Sequence, residues 1–553
     1  MRTLYVAAAA VLLFGCQKQQ LAEVPEDPAP ELQMSTDGLW QSSNVRVTGL
    51  ARGMDALTIN GQSVTITESA YDTQLPLERG VNLIEAVGTD SRGDTHFVRQ
   101  GVLSGEFHAP DQQMGDALTI RVNRSGLNKA TALVGSFIDP AVISNSVTAI
   151  NPVYDDSYGV FGWDAVNIQA NLVNVGFDVP IITPDPKPNL LEVEVVIPNV
   201  EIQAQAVGDV VGIGFDQDVW VGADSAIITA NVLVGASNGE LVLDVVQPMV
   251  ELDGFWYDVS LIPDGIESFV LVDTLRGTIE DVLVGQLDAM LPGLLEGALA
   301  DLDISFDTEL LGTPVSISAD FAAATVDTLG IELVTNVNVA VPNRIDKPWT
   351  GFLAAPAVAT PQPSQADDIG MSVSDDLLNN VLFQVWRGGL LNMELDSANG
   401  DIDPALLGQL GATGAAKVLL DANLPPVLID RGGVTQVQLT ELGVRIETPG
   451  GDNGEFLDLS VTAYIGLELA IEEGVLKLEL GDPEVIIDVR NSDWGASNNA
   501  ITNLLAEKLP IDTLLILLGD IEFPLPSVAG ISVNNGDAYR DQSGVHTAVG
   551  INL

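Results

Sequence analysis

Thiol and imidazole are almost missing from this chain of 553 residues, which has one cysteine, Cys16, and three histidines, His96, His108 and His546. A single cysteine excludes an intramolecular disulfide and any cysteine-built metal site. The histidines are far apart in sequence and none lies in a ligand-spaced motif, so no metal is expected. No phosphate-binding glycine loop, GxSxG elbow or HExxH helix occurs, and the chain reads as non-enzymatic and without a cofactor of its own. Basic charge is scarce as well: 22 Lys and Arg stand against 77 Asp and Glu, a net charge of -55. Such a surface repels nucleic acid and anionic lipid, which leaves no nucleic-acid partner. The acids are spread along the whole chain, the pattern of a solvated shell and not of one binding patch. Aromatic residues make up only 5% of the chain while 46% is hydrophobic, which suits β-layers filled with Val, Leu and Ile.

What is present divides the chain into segments, since 553 residues exceed a single core. Met1-Arg2, the apolar run Leu4 to Phe14 and Gly15-Cys16 describe a secretory signal over residues 1–16, too short to span a bilayer. Leu13-Phe14-Gly15-Cys16 resembles the lipobox of bacterial lipoproteins, with Phe14 bulkier than usual. The resemblance implies that Cys16 is acylated, anchoring the chain to a membrane, and Gln17 after it implies the bacterial outer membrane. Residues 17–41 are polar and rich in Pro and Glu, a disordered tether.

Residues 42–108 alternate as half-buried strands at Val45–Val47, Leu57–Ile59, Val64–Ile66 and Asn82–Val87, separated by turn signals such as Asn60-Gly61. TINGQSV and LERGVNLIEAVGTDSRGD look like the small Ig-like β-sandwich of bacterial surface proteins. From Ala117 to Val341 the pattern turns to α+β. A strand at Leu118–Val122 leads into a helix whose Leu127 and Val134 fall near one face. Strands follow near Val166–Val173, Leu190–Ile197, Ile227–Val234 and Leu241–Val245, broken by Gly, Asn and Pro. Then comes the longest amphipathic stretch, with Leu275, Ile279, Leu283, Leu287 and Leu294 at helical spacing, to be kinked or divided by Pro292. Pro342 to Gly370, rich in Pro and Ala and without apolar period, is expected to connect two like halves and to hold neither a buried helix nor a central strand.

The second half, residues 371–553, opens with a helix capped by Ser374, with Asp375 and Asp376 in its first turn and Leu378, Leu382 and Val385 in its stripe. Gly388-Gly389 stops it. Strands are expected at Leu390–Leu395, Ala416–Ala422, Val434–Thr448, Phe456–Leu469, Val475–Leu480 and Glu484–Val489, and a last helix near Asn498–Leu509. Acidic turns such as Asp452–Glu455 lack the spaced ligands of a calcium loop and read as turns.

Four stretches in order, LTIRVNRSGLNKATALVGSFI, the helix from Leu275, MSVSDDLLNNVLFQVWRGGLLNMEL and IEFPLPSVAGISVNNGDAYRDQSGVHTAVGIN, resemble the family of bactericidal/permeability-increasing protein, lipopolysaccharide-binding protein and the plasma lipid-transfer proteins. The resemblance implies two barrel-like twisted antiparallel sheets, each wrapped round a long amphipathic helix and joined at a central sheet. It also implies apolar pockets between helix and sheet that hold phospholipid or other acyl lipid. Two departures stand out: the family's disulfide cannot form here, and its cationic tip has no counterpart. Endotoxin neutralisation is therefore not implied. Candidate pocket walls are Leu127, Val134, Ile279, Leu283, Leu287, Leu378, Leu382 and Val385. The expected function is lipid binding or lipid transfer from a membrane anchor, the alternative a structural or adhesive surface lipoprotein with filled barrels, contacting a partner through the Ig-like part.

Overall fold

The mixed pattern resolves into a mostly β protein. A computed structural model describes residues 30–134, 148, 151–160, 163–210, 213–258, 276–277, 280–281, 284–285, 305–310, 313–357, 363–400, 414–452, 455–472, 475–492, 522–524, 536–541 and 543–552. They fall into two compact units. The first holds the residues up to Asp37 with Val45–Leu75 and Ile84–Gln100, the second Gly38–Asn44, Pro76–Leu83 and Gly101–Leu553.

In the first unit the strand Asn44–Arg52 pairs antiparallel with Glu31–Thr36 and lies beside Ala70–Pro76, while Met54–Ile59 pairs with Gly80–Asp90 and Gln62–Ser63. Alternate residues point inward, as the period of two requires: Val45, Val47, Leu57, Ile59, Ile84 and Ala86 are buried. Asn60 and Gly61 both take positive φ, 46° and 77°, which makes the expected two-residue hairpin turn. The expected strand at Val64–Ile66 does not form; pairing stops at Ser63. Tyr71 donates from its hydroxyl to the Gln33 carbonyl at 2.9 Å and lies against Gly49, where any Cβ would strike that hydroxyl.

The second unit is built on a seven-stranded sheet in the order Phe306–Leu310, Thr313–Val326, Gly330–Ala340, Met114–Asn123, Ile369–Ser374, His546–Ile551, Gly536–Arg540. Its middle pair relates the two halves. Met114–Asn123 runs straight into the helix Arg124–Val134, and Ile369–Ser374 straight into the helix Asp375–Arg387. The two strands are antiparallel, with Leu118 opposite Val373, Ile120 opposite Met371 and Val122 opposite Ile369. Pro342 to Gly370 is therefore no simple connector. Ile369 and Gly370 open a central strand, and Phe352–Leu353 pairs with Phe107–His108 and is buried. Phe352, Leu353 and Ile369 in this stretch are core residues, which a search for periodicity does not detect.

Each half adds a sheet of its own. The first-half sheet orders Tyr154–Val160, Trp163–Gly176, Leu190–Val210, Ile213–Ser237 and Glu240–Asp253, and the second-half sheet Asn392–Asp396, Lys417–Ala422, Val434–Asp452, Glu455–Glu472, Val475–Ser492 and Glu522–Pro524. The strands are far longer than the sequence signals suggest, up to 25 residues. Pro198-Asn199 fails to end its strand because the neighbour on that side changes there. Ile181–Lys187 pairs with the residues before it and Trp163–Gly176 with those after, so no donor is missed at the proline. Gln247-Pro248 is absorbed in a register shift opposite Thr229–Asn231, with Gln247 at φ 54°.

The expected helix across Ile279, Leu283 and Leu287 and the expected helix near Asn498–Leu509 lie outside the described residues, although 276–277, 280–281 and 284–285 are helical. Among the described residues two helices exceed one turn.

Candidate functional site

Among the described residues, most of the expected wall residues lie on the helix Asp375–Arg387. Ser374 caps it as its sequence demands, its hydroxyl accepting from the Leu377 amide at 3.3 Å, and Asp375 and Asp376 stand in the positive first turn. Leu378 and Leu382 are 3% exposed and Val385 is fully buried. In the other half Leu127 is buried on the helix Arg124–Val134, which packs against Met114–Asn123 and Ile181–Lys187. Gly126 sits where a Cβ would meet the Asp368 carbonyl, so glycine permits this close approach. Leu127, Leu378, Leu382 and Val385 belong to one continuous apolar core with the buried faces of all three sheets. Val134 is the last residue of its helix, and its side chain lies outside what the structure describes, as do Ile279, Leu283, Leu287 and Cys16.

The opposite face of the Asp375–Arg387 helix is not solvated. Asn379 exchanges two hydrogen bonds with the main chain of Leu428, donating to its carbonyl at 3.1 Å and accepting from its amide at 2.7 Å. Gln384 donates to the Pro110 carbonyl at 2.7 Å and Trp386 to the Ala422 carbonyl at 2.8 Å. Arg387 donates to Asp111 at 2.8 Å and stacks over the Trp349 ring at 4.7 Å. This clamp escapes a reading for apolar stripes, yet a signal was present. The polar face carries Asn379, Asn380 and Gln384, amides that hydrogen-bond within a core, where a solvated face carries Glu and Lys.

Charge is gathered at the helix start. Asp375 is buried and takes both terminal nitrogens of Arg540, at 2.7 and 2.8 Å. Burial pushes its carboxyl up, opposed by Arg540, while burial pulls the nearby Arg79 guanidinium down. Asp376 accepts from the Ala355 amide at 2.6 Å and lies 3.4 Å from His108. His546 lies 3.0 Å from Asp541, whose carboxyl burial pushes up but Ser543 and His546 together hold below its ordinary value. These groups join distant segments through ion pairs and hydrogen bonds with one another, although Arg540 Nε and one terminal nitrogen of Arg79 are buried without a partner, and the arrangement reads as a structural junction.

Two hydroxyls at the centre lack partners. Thr119 and Ser372 face each other across the middle strand pair, both wholly buried, and neither oxygen has a hydrogen bond. Two open grooves lie on the second-half sheet. One, of about 360 Å³, is lined by Asn392, Gly443, Arg445, Asp458 and Arg490 among others; the other, of about 520 Å³, by Val434, Gly466, Glu468, Glu479 and Arg540 among others. Neither is walled by the expected helix leucines. Among the described residues no group of three or more His, Cys, Asp or Glu is placed to hold a metal ion.

The aliphatic interior is the site's chemical character. On the buried face of the first-half sheet, Leu191, Val193, Val195 and Ile197 lie beside Val232, Ala230, Ile228 and Ala226, all at most 5% exposed. The second-half sheet presents Leu420, Val444, Leu459 and Val489 in one row across four strands. Side chains of this kind pack as an aliphatic core and offer a polar solute no hydrogen-bonding partner.

No known family profile matches the chain, and no curated protein does. Among solved structures the chain is similar in fold to a lipopolysaccharide-binding protein, at 12% identity over 79% of this chain and 98% of that one, with a TM-score of 0.43. It is also similar to P47 of Clostridium botulinum E1, at 10% identity over 80% of this chain and 100% of that one, with a TM-score of 0.26.

Proposed function

We propose that this chain is an envelope-anchored lipid-binding or lipid-transfer protein that holds acyl chains without catalysis. The observation that carries the reading is the continuous aliphatic core running through both halves on the buried faces of long sheets. In this reading residues 117–341 and 371–553 are two lipid-holding barrels, each with its sheet about an amphipathic helix, the first helix including Ile279, Leu283 and Leu287. Residues 342–370 join them, residues 42–108 form an Ig-like spacer, and the tether is shorter than residues 17–41, because Glu31–Thr36 is a strand paired with Asn44–Arg52. Cys16 carries the acyl anchor to the outer membrane. Each buried methylene of such an anchor contributes about 0.8 kcal/mol, enough with two or three chains to hold so acidic a protein at a bilayer.

The clamped helix Asp375–Arg387 favours a second reading, a structural or adhesive lipoprotein, because its leucine stripe is already packed. Organic extraction and mass spectrometry of the full chain carrying Cys16→Ser separates the two. Acyl lipid near one or two molecules per chain supports the first. A chain free of lipid that also takes up no fluorescent phospholipid leaves the second. Labelling with palmitate, lost in Cys16→Ser, tests the anchor on its own.

A further inference from the structure

The outward face of the first-half sheet carries a row of apolar side chains among its polar and acidic ones. Most of the large apolar side chains exposed among the described residues lie on this sheet or the strands and turns joined to it, with Ile181 59%, Val179 65% and Met249 65% exposed. The register places Ile181, Val196 and Ile227 in one row across three strands, with Met249 beside Thr229 in the next. Their chain neighbours Ile182, Val195, Ala226 and Ile228 are buried on the other face, so the row points outward as a set. At about 4.8 Å between strands, it spans roughly 10 Å and continues toward Met249. An apolar patch held on a rigid sheet and rimmed by polar residues marks an interaction site.

The rim identifies the partner's chemistry. Residues 151–258 hold seventeen acidic residues and one basic residue, Lys187, which pairs with Asp185. Glu194, Glu251 and Asp253 border the row, and among the described residues no cation pairs with any of them. Unpaired carboxylates of one sign repel a second copy of this chain and an anionic bilayer alike. We propose that this face docks an amphipathic, basic segment of a partner protein, its apolar side on Ile181, Val196, Ile227 and Met249 and its lysines or arginines on Glu194, Glu251 and Asp253. The proposal concerns the outside of the sheet and does not depend on lipid inside it.

The test uses the full chain with three probes: an 18-residue amphipathic Leu/Lys peptide, its Leu/Glu counterpart and phosphatidylcholine vesicles. Calorimetry is expected to show one tight site for the Leu/Lys peptide. Ile181→Ser with Met249→Ser, which keeps every charge, should weaken that site at least tenfold, and Val434→Ser on the other half should leave it unchanged. Glu194→Gln with Glu251→Gln should weaken it several-fold and flatten its salt dependence. Because all five positions are at the surface, unchanged melting curves show that the variants fold. Equal affinity in the Ile181/Met249 variant would mean diffuse attraction to an acidic protein and would overturn the proposal. So would equal binding of the Leu/Glu peptide, vesicle binding that depends on this row while peptide binding does not, or a dimer that the same variant dissolves.

Discussion

Removing the Asn379 amide should loosen the whole helix Asp375–Arg387. Asn379 is 1% exposed and satisfies both main-chain groups of Leu428, at 2.7 and 3.1 Å. Asn379→Ala strands a buried amide and a buried carbonyl, each costing about 1–3 kcal/mol when unpaired. The sum is about 2–6 kcal/mol, toward the lower end where water fills the space the side chain leaves. Asn379→Leu refills the volume but restores neither bond, so it should remain nearly as destabilised as Ala. Asn379→Asp keeps the acceptor for the Leu428 amide, loses the donor and buries a charge, so it should be the worst of the three. Hydrogen exchange of peptides covering 375–387 and 427–431 reads the effect locally, which suits a protein of several units without a single two-state transition. Faster exchange in both peptides, by a factor of about 30 or more, is expected for Ala. If Ala changes exchange less than threefold, or if Leu restores wild-type protection, the clamp is packing alone and the hydrogen-bond reasoning fails.

Three further expectations follow from buried polar groups. Burial pushes the Tyr71 hydroxyl up to about 12, from an ordinary value of 10.0. A raised folded value stabilises fully below pH 10 and is lost as pH climbs through 12, so alkaline titration should unfold the first unit in that window; Tyr71→Phe should abolish the step and cost about 1 kcal/mol at neutral pH. The Asp90 carboxyl is pushed up by burial, but the Arg92 guanidinium and the amides of Asp94 and Arg92 outweigh this and hold it at about 2, below its ordinary 3.8. Its contribution is complete above that ordinary value and disappears as pH falls toward 2, so melting curves from pH 5 to pH 2 should be flatter for Asp90→Asn than for wild type. Thr119→Val replaces an unpartnered buried hydroxyl by a methyl of the same shape and should be neutral or raise stability by about 1 kcal/mol in urea titration; a loss of that size would show that the hydroxyl holds a bound water or ligand.

Local signals in the sequence determined the points at which chain direction or dihedral angle is fixed by one or two residues. Ser374 starts a helix because its hydroxyl reaches the Leu377 amide, Gly389 stops it with φ 115°, and Asn60-Gly61 turns a hairpin because both accept positive φ. Of the candidate walls, Leu127, Leu378, Leu382 and Val385 were legible as buried because the helical period marks one face. The sequence also determined that no disulfide braces the fold and that the surface is acidic. Only the tertiary structure decided where strands end. Pro198 and Pro248 read as breaks, yet one stands where the neighbouring strand changes and the other in a register shift, because a proline interrupts a strand only if a partner requires its missing N–H. Tertiary structure likewise buried the polar side of the Asp375–Arg387 helix. The amides of that face signal burial locally, but which partner they meet depends on a strand more than forty residues away, Leu428 for Asn379.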